Sequence, residues 1–262
     1  MLYSEHQGSP TDIGAMSRFL HVPLPDYQGL LALGLVLGTV LSALQSRRRG
    51  LSPLAAVDGA LAGAVGGLLI GRAIYAAAHW SYFHDHLGEA LMVWRGGLSA
   101  PGAVVGGAVG VLALCRLRRA DPRPLLDALA PGAALVVIFG WLGCLGAGCG
   151  CGLTVRPDQR LLWALSAELP DLYGLCVPRV AVQVLGAGWG GAVLATVLLV
   201  ERRGRPFPLW LLLHAGGGFG LAFLRGDLVP LVAGLAPVQV ADLALVGLAL
   251  FAFLWWCRKE AQ

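Results

Sequence analysis

Seven stretches of this chain, near 27–46, 54–78, 98–116, 126–147, 179–200, 208–224 and 238–256, are apolar almost without interruption. Each is about the 20 residues that a helix needs to cross roughly 30 Å of hydrocarbon. Lipid offers no partner to backbone N–H and C=O groups, so a run of this kind must be a helix or a strand of a closed barrel. Its apolar positions are continuous rather than alternating, which excludes the barrel. The fold class expected is all-α: a polytopic membrane protein of about seven transmembrane helices, with residues 1–262 forming one integral membrane domain. Composition agrees, since 57% of residues are hydrophobic and 13% charged, against about 25% charged in ordinary globular proteins. Intrinsic disorder, a disulfide-stapled miniprotein and a water-soluble nucleic-acid binder are excluded despite the formal charge of +4.

Basic residues set the orientation. Twelve of the 19 lie in one set of connections, at Arg47–Arg49, Arg116–Arg123, Arg202–Arg205 and Arg258–Lys259, and six in the other set. The N-terminus is therefore expected outside and the C-terminus in the cytoplasm. Residues 1–26 have neither a basic start nor an early apolar core, so no cleavable signal peptide is read there. The outer face then carries both long connections. One, 79–97, is rich in Trp, Tyr and His, which suit the headgroup level. The other is 148–178, whose WALSAELPDL stretch suggests a short interfacial helix. Small-xxx-small glycine pairs, Gly59/Gly63, Gly67/Gly71, Gly102/Gly106/Gly110, Gly186/Gly190 and Gly216/Gly220, permit close helix packing or a backbone-lined lipid groove.

Polar residues inside the apolar runs need a reason to be there. Arg72 stands two turns from the outer end of its span, where an unpartnered arginine costs roughly 2.5–3.5 kcal/mol. A lipid phosphate, a carboxylate on another span, or snorkelling would each satisfy it. Tyr75, three residues on, shares its face. His214 lies between WLLL and AGGG, so its imidazole points into a glycine-lined space. Gln183 and Gln239 enter spans from the outer side, Asp242 sits a turn inside the last span, and Asp58 and Asp127 lie at cytoplasmic ends. Four of the six cysteines, Cys144, Cys149, Cys151 and Cys176, fall toward the outside as disulfide candidates. Adjacency disfavours Cys149–Cys151, leaving either to pair with Cys144 or Cys176. No metal site is expected, because CxC with His79, His84 and His86 lacks the spacing of structural zinc.

Read in order, GRAIY at Gly71–Tyr75, WRGGLSAPGAVVGG from Trp94, LLDALAPG from Leu125, GWLGCLGAGCGCG from Gly140, PRVAVQ ending at Gln183, FLRGD from Phe223, and Gln239 resemble the prolipoprotein diacylglyceryl transferases. The resemblance implies an inner-membrane enzyme without a cofactor. It would move the diacylglyceryl group of phosphatidylglycerol onto a lipobox cysteine of a prolipoprotein, and its partners would be those two substrates and membrane lipids, with no nucleic acid. Carried onto this sequence, it retains Arg72, Tyr75, Asp127, Gly143, Gly152, Gln183, Arg225 and Gln239, with Tyr27 matching a first-span tyrosine. It departs at Pro101, where the family has a histidine, at Trp141 and Gly218, where it has arginines, at Cys144 for an asparagine, at Ala222 for a glutamate, and at His214 for a tyrosine. The expected assignment is His214, Arg225 and Tyr75 as catalytic residues, with Arg72, Tyr27, Gln183, Gln239, Gly143 and Gly152 binding lipid. A non-catalytic or differently acting lipid-binding protein on the same scaffold is the alternative. A transporter is disfavoured, because no carboxylate pair or broken-helix pair stands at mid-bilayer.

Overall fold

The computed structural model describes residues 26–170, 173–200, 205–231 and 233–260. The segment before Asp26, where the signal-peptide reading falls, lies outside the described residues, as do Arg202 and Arg203. Ten helices follow in order: α1 Tyr27–Arg48, α2 Pro53–Ala78, α3 Trp80–Phe83, α4 Leu87–Ala90, α5 Ala100–Leu117, α6 Pro122–Ala147, α7 Arg160–Ala164, α8 Val182–Val200, α9 Pro206–Ala222 and α10 Pro237–Glu260. Six of them, α1, α2, α5, α6, α8 and α10, are long and apolar enough to cross a membrane. The remaining apolar stretch forms α9, whose 17 residues extend only about 25 Å.

The helix starts are written in the sequence by side-chain caps. Ser52 and Asp121 accept hydrogen bonds from Leu54 N (3.3 Å) and Arg123 N (3.0 Å), and a proline occupies the first turn behind each. Asp121 thereby starts α6 four residues before the apolar run expected to begin at 126. Ser99 accepts from Gly102 N (3.3 Å) and starts α5 at Ala100. At the far end of α6, Gly148 adopts the left-handed conformation (φ 68°) and its N–H closes on Cys144 O, which stops the helix.

Glycines set how closely the helices approach. A Cβ at Gly66 would strike the Gly106 carbonyl and one at Gly110 the Ala62 carbonyl, so α2 and α5 pack backbone to backbone. The α1–α6 contact is similar: a Cβ at Gly38 would come within 2.7 Å of Gly132 O. At Gly216/Gly220 the close-packing reading does not hold, because a Cβ at either would meet nothing within 4 Å.

The expected interfacial helix in WALSAELPDL is also corrected. Only Arg160–Ala164 is helical; Ser166–Pro170 forms strand β1, paired antiparallel with β2, Cys176–Val180. Val155 N and Val180 N extend this pairing to Pro178 O and Leu153 O (both 3.0 Å), and Leu153 N reaches Leu224 O (2.9 Å). The strand wins because its alternate residues Ala167 and Leu169 bury against Ala181, Leu145 and Val184.

Polar contacts gather at the two ends of the bundle. At one end Arg49 pairs with Asp127 (3.6 Å), Asp127 accepts from Phe207 N (3.0 Å), and Arg118 pairs with Asp58 (2.6 Å). At the other end lie the short elements of segment 79–97, the β1–β2 hairpin and the loop after α9. Between them the core is built by α6, α8, α9 and α10, around Ala134, Val193, Val197, Trp210, Leu211, Ala215, Leu245 and Ala249.

Candidate functional site

Arg72 is fully satisfied from within the protein. Its Nε donates to Ala90 O (2.8 Å), Nη1 to Gly96 O (2.5 Å) and Gly97 O (2.7 Å), and Nη2 to Glu89 O (2.6 Å) and Met92 O (3.4 Å). A guanidinium has five N–H groups, so every donor is engaged. The cation also lies 5.6 Å from the Tyr75 ring and 5.3 Å from the Phe83 ring. Gly97, at φ 79°, lets its backbone pass against Tyr75; a Cβ there would collide with the ring and come within 2.8 Å of Arg72 Nη1. The cost of keeping an arginine at this depth is thus met by the protein backbone, whereas the sequence offered phosphate, carboxylate or snorkelling. The Tyr75 ring meets His79 at 4.2 Å, tilted by 30°.

The same segment carries a small surface network. Tyr82 Oη donates to Glu89 Oε2 (2.8 Å), and Glu89 Oε1 meets Arg95 Nη1 at 3.2 Å. The hydrogen bond from Tyr82, helped by the charge of Arg95, holds the Glu89 carboxyl below its ordinary range, and the same bond raises the Tyr82 phenol. His79, His84 and His86 each direct Nδ1 to the carbonyl four residues back. Among the described residues no cluster of His, Cys, Asp or Glu could hold a metal ion.

His214 lies in a cavity of about 40 Å³ between α6, α8 and α9, walled by Trp141, Trp189, Trp210 and His214 with Gly190 and Gly218. The imidazole stacks on Trp210 at 5.3 Å and 7°. Gly186 gives Trp141 its place, since a Cβ there would strike the indole. Trp189 rests on Gly217 and donates its N–H to Leu213 O (3.0 Å). Two of the positions where the sequence departs from the family pattern by losing an arginine, Trp141 and Gly218, line this cavity, as does His214. No signal in the sequence links these three tryptophans, which come from three helices.

The C-terminal ends of α6 and α9 and the N-terminal end of α8 meet beside it. Cys144 and Cys149 form a disulfide across the α6 terminus, while Cys151, Cys176, Cys115 and Cys257 are free. Gln183 Nε2 donates to Cys149 O (3.0 Å), tying α8 to that turn. Gly152 bridges Arg225 and packs its Cα on Val180 O, where no side chain fits. Arg225 is held by Asp227 through two bonds (Nε 2.9 Å, Nη2 2.7 Å). Gly143 receives Tyr27, whose Cδ2 is 2.8 Å from where a Cβ would stand. Gln239 accepts from Ala236 N (2.9 Å) and caps α10. The expected site residues therefore fall into groups: Arg72 with Tyr75, Tyr27 with Gly143, Gly152 with Arg225, Gln183 with Cys149, and His214 in its cavity. Among the described residues no hydrogen bond, ion pair or ring contact joins Tyr75 to His214 or Arg225.

A family model described as "Prolipoprotein diacylglyceryl transferase" matches residues 16–261. Similar curated proteins include the phosphatidylglycerol–prolipoprotein diacylglyceryl transferase of Clostridium tetani, 27% identical over 227 residues, which are 87% of this chain and 91% of that protein. A second, transferase 2 of Clostridium perfringens, is 24% identical over 202 residues, 77% of this chain and 78% of its own length. A third, from Frankia alni, is 31% identical over 229 residues, 82% of this chain and 58% of its own length.

Proposed function

The chain belongs to the prolipoprotein diacylglyceryl transferase family, and we propose from that membership that it transfers the diacylglyceryl group of phosphatidylglycerol to a lipobox cysteine thiol of a prolipoprotein, in a bacterial-type plasma membrane. The match over residues 16–261 carries this reading. In the reaction the thiol gives up its proton and sulfur bonds to the terminal glyceryl carbon. The carbon–oxygen bond to phosphate breaks, and glycerol phosphate leaves with the electron pair. Such a site needs a proton acceptor, a cation for the departing phosphate and an opening toward lipid.

Residues for each part are proposed from the geometry above. His214, an imidazole facing a cavity, takes the thiol proton. Arg225 faces the phosphate with Nη1, which makes no hydrogen bond among the described residues while Asp227 orients the other two nitrogens. Tyr75, beside Arg72 on α2, contributes a hydroxyl that makes no described hydrogen bond. Arg72 acts through position, holding the 89–97 segment over the bundle. Tyr27, Gly143, Gly152, Gln183 and Gln239 shape the walls along which lipid is held.

The test places the purified protein in phosphatidylglycerol bilayers with a lipobox peptide and follows peptide mass and released glycerol phosphate. A diacylglyceryl mass shift is expected, falling about 100-fold or more in His214→Ala and in Arg225→Ala. Absence of any shift, with the Clostridium tetani relative active alongside, would leave the non-catalytic lipid-binding reading standing instead.

A further inference from the structure

The cavity between α6, α8 and α9 has a chemical character that transfer chemistry does not call for. Four of its ten lining residues are aromatic, Trp141, Trp189, Trp210 and His214, and the rest are aliphatic side chains and glycines. Aromatic faces carry negative potential and attract cations, tryptophan most strongly. The Trp189 N–H, which would favour an anion, is already engaged by Leu213 O at 3.0 Å.

The groups around these rings have the same sign. Asp242 of α10 is 5% exposed, and its Oδ2 lies 3.1 Å from where a Cβ of Gly218 would stand, behind the cavity wall. Among the described residues it has no hydrogen bond or ion pair. Arg225, the nearby cation, does not pair with it among the described residues: Asp227 already binds that guanidinium through both Nε and Nη2. Gln183 adds an acceptor: 1% exposed, it has an Oε1 that takes no hydrogen bond among the described residues. It sits on the same face of α8 as Gly186, which contacts Trp141, and Gly190, which lines the cavity. An ionisable group in a membrane span that lacks a partner marks a place where one arrives.

We propose that this cavity binds an alkylammonium group, supplied by a zwitterionic lipid headgroup or by a soluble amine. Its size fits: about 40 Å³ is a few times the roughly 10–15 Å³ one water needs, suited to a small ammonium head and too small for an acyl chain. The binding stands apart from the transferase reading. Its consequence rests on that reading: an ammonium stacked beside His214 keeps the thiol away, so an occupant inhibits transfer.

Tryptophan fluorescence of the purified protein in detergent tests the binding without activity. Tetramethylammonium chloride is titrated against sodium chloride at equal ionic strength and against tert-butanol, an uncharged counterpart of similar shape. A saturable change with tetramethylammonium alone is expected, about tenfold weaker in Asp242→Asn, which retains every tryptophan. Equal binding of tert-butanol, or unchanged affinity in Asp242→Asn, would overturn the proposal. Should that variant not fold, Trp189→Leu must show the weakening. Repeating the titration in phosphatidylcholine and in phosphatidylglycerol nanodiscs separates the sources. Competition in phosphatidylcholine supports a lipid headgroup, and equal binding in both supports a soluble amine. Tetramethylammonium binding without any peptide transfer would sink the transferase reading and leave this one intact.

Discussion

At the scale of single residues the sequence located the polar side chains that matter but not what they touch. Arg72 was conspicuous at its depth, yet its partners are carbonyls 17 to 25 positions away, and backbone acceptors carry no sequence mark. Arg72→Ala removes five hydrogen bonds to part-buried carbonyls, of which Glu89 O and Met92 O keep a backbone N–H, and should destabilise the protein by about 2 kcal/mol or more, measured as loss of thermal stability in detergent with faster amide exchange across 89–97. Arg72→Lys should recover little, since an ammonium has three donors and no planar fork. A lysine that restored full stability would contradict this structural role. Glu89 supplies a pH dependence. Its folded carboxyl titrates below the ordinary value, chiefly through Tyr82. The linked stabilisation is therefore present above the ordinary glutamate pKa and lost as pH falls through the depressed folded value. Tyr82, raised by the same bond, contributes below the ordinary tyrosine pKa and loses that contribution as pH rises through the folded value. Titration of Tyr82→Phe should show Glu89 moving back up.

Elements were legible wherever local chemistry decides them: Ser52, Ser99 and Asp121 as caps, prolines behind them, Gly148 as a stop. Which glycines pack was not legible, because spacing alone is the same for Gly102/Gly106 and for Gly216/Gly220. Gly106→Val should force α2 and α5 apart and cost about 2 kcal/mol. Gly220→Ala faces open space and should be neutral or stabilising by up to about 1 kcal/mol. Unfolding of both variants by denaturing detergent checks the contrast. At the end of α6, reducing Cys144–Cys149 should cost about 2 kcal/mol by loop-closure entropy, a loss that Cys144→Ser reproduces. The helix expected in WALSAELPDL gives way to strand β1 at Ser166–Pro170, because propensity within that stretch says nothing of the distant Cys176–Val180 strand that pairs with it.

For the whole molecule, the distribution of basic residues predicts that the hairpin end faces outward. Cys176, exposed on β2, should react with a membrane-impermeant maleimide added to right-side-out vesicles and be protected in inverted ones; the opposite pattern would reverse the orientation. The sequence by itself determined a multi-span helical bundle, because hydrocarbon admits few folds and a long apolar run satisfies its own backbone only as a helix. It also determined the family, since motifs kept in order survive when single residues change. Only the tertiary structure decided that Trp141, Trp189 and Trp210 close one cavity around His214, that Asp242 stands behind Gly218, and that Arg72 is satisfied from within. Those facts arise from how α2, α6, α8, α9 and α10 are placed beside one another. Helix placement is set by backbone approach at particular glycines and by contacts between residues far apart in the chain, which no local pattern records.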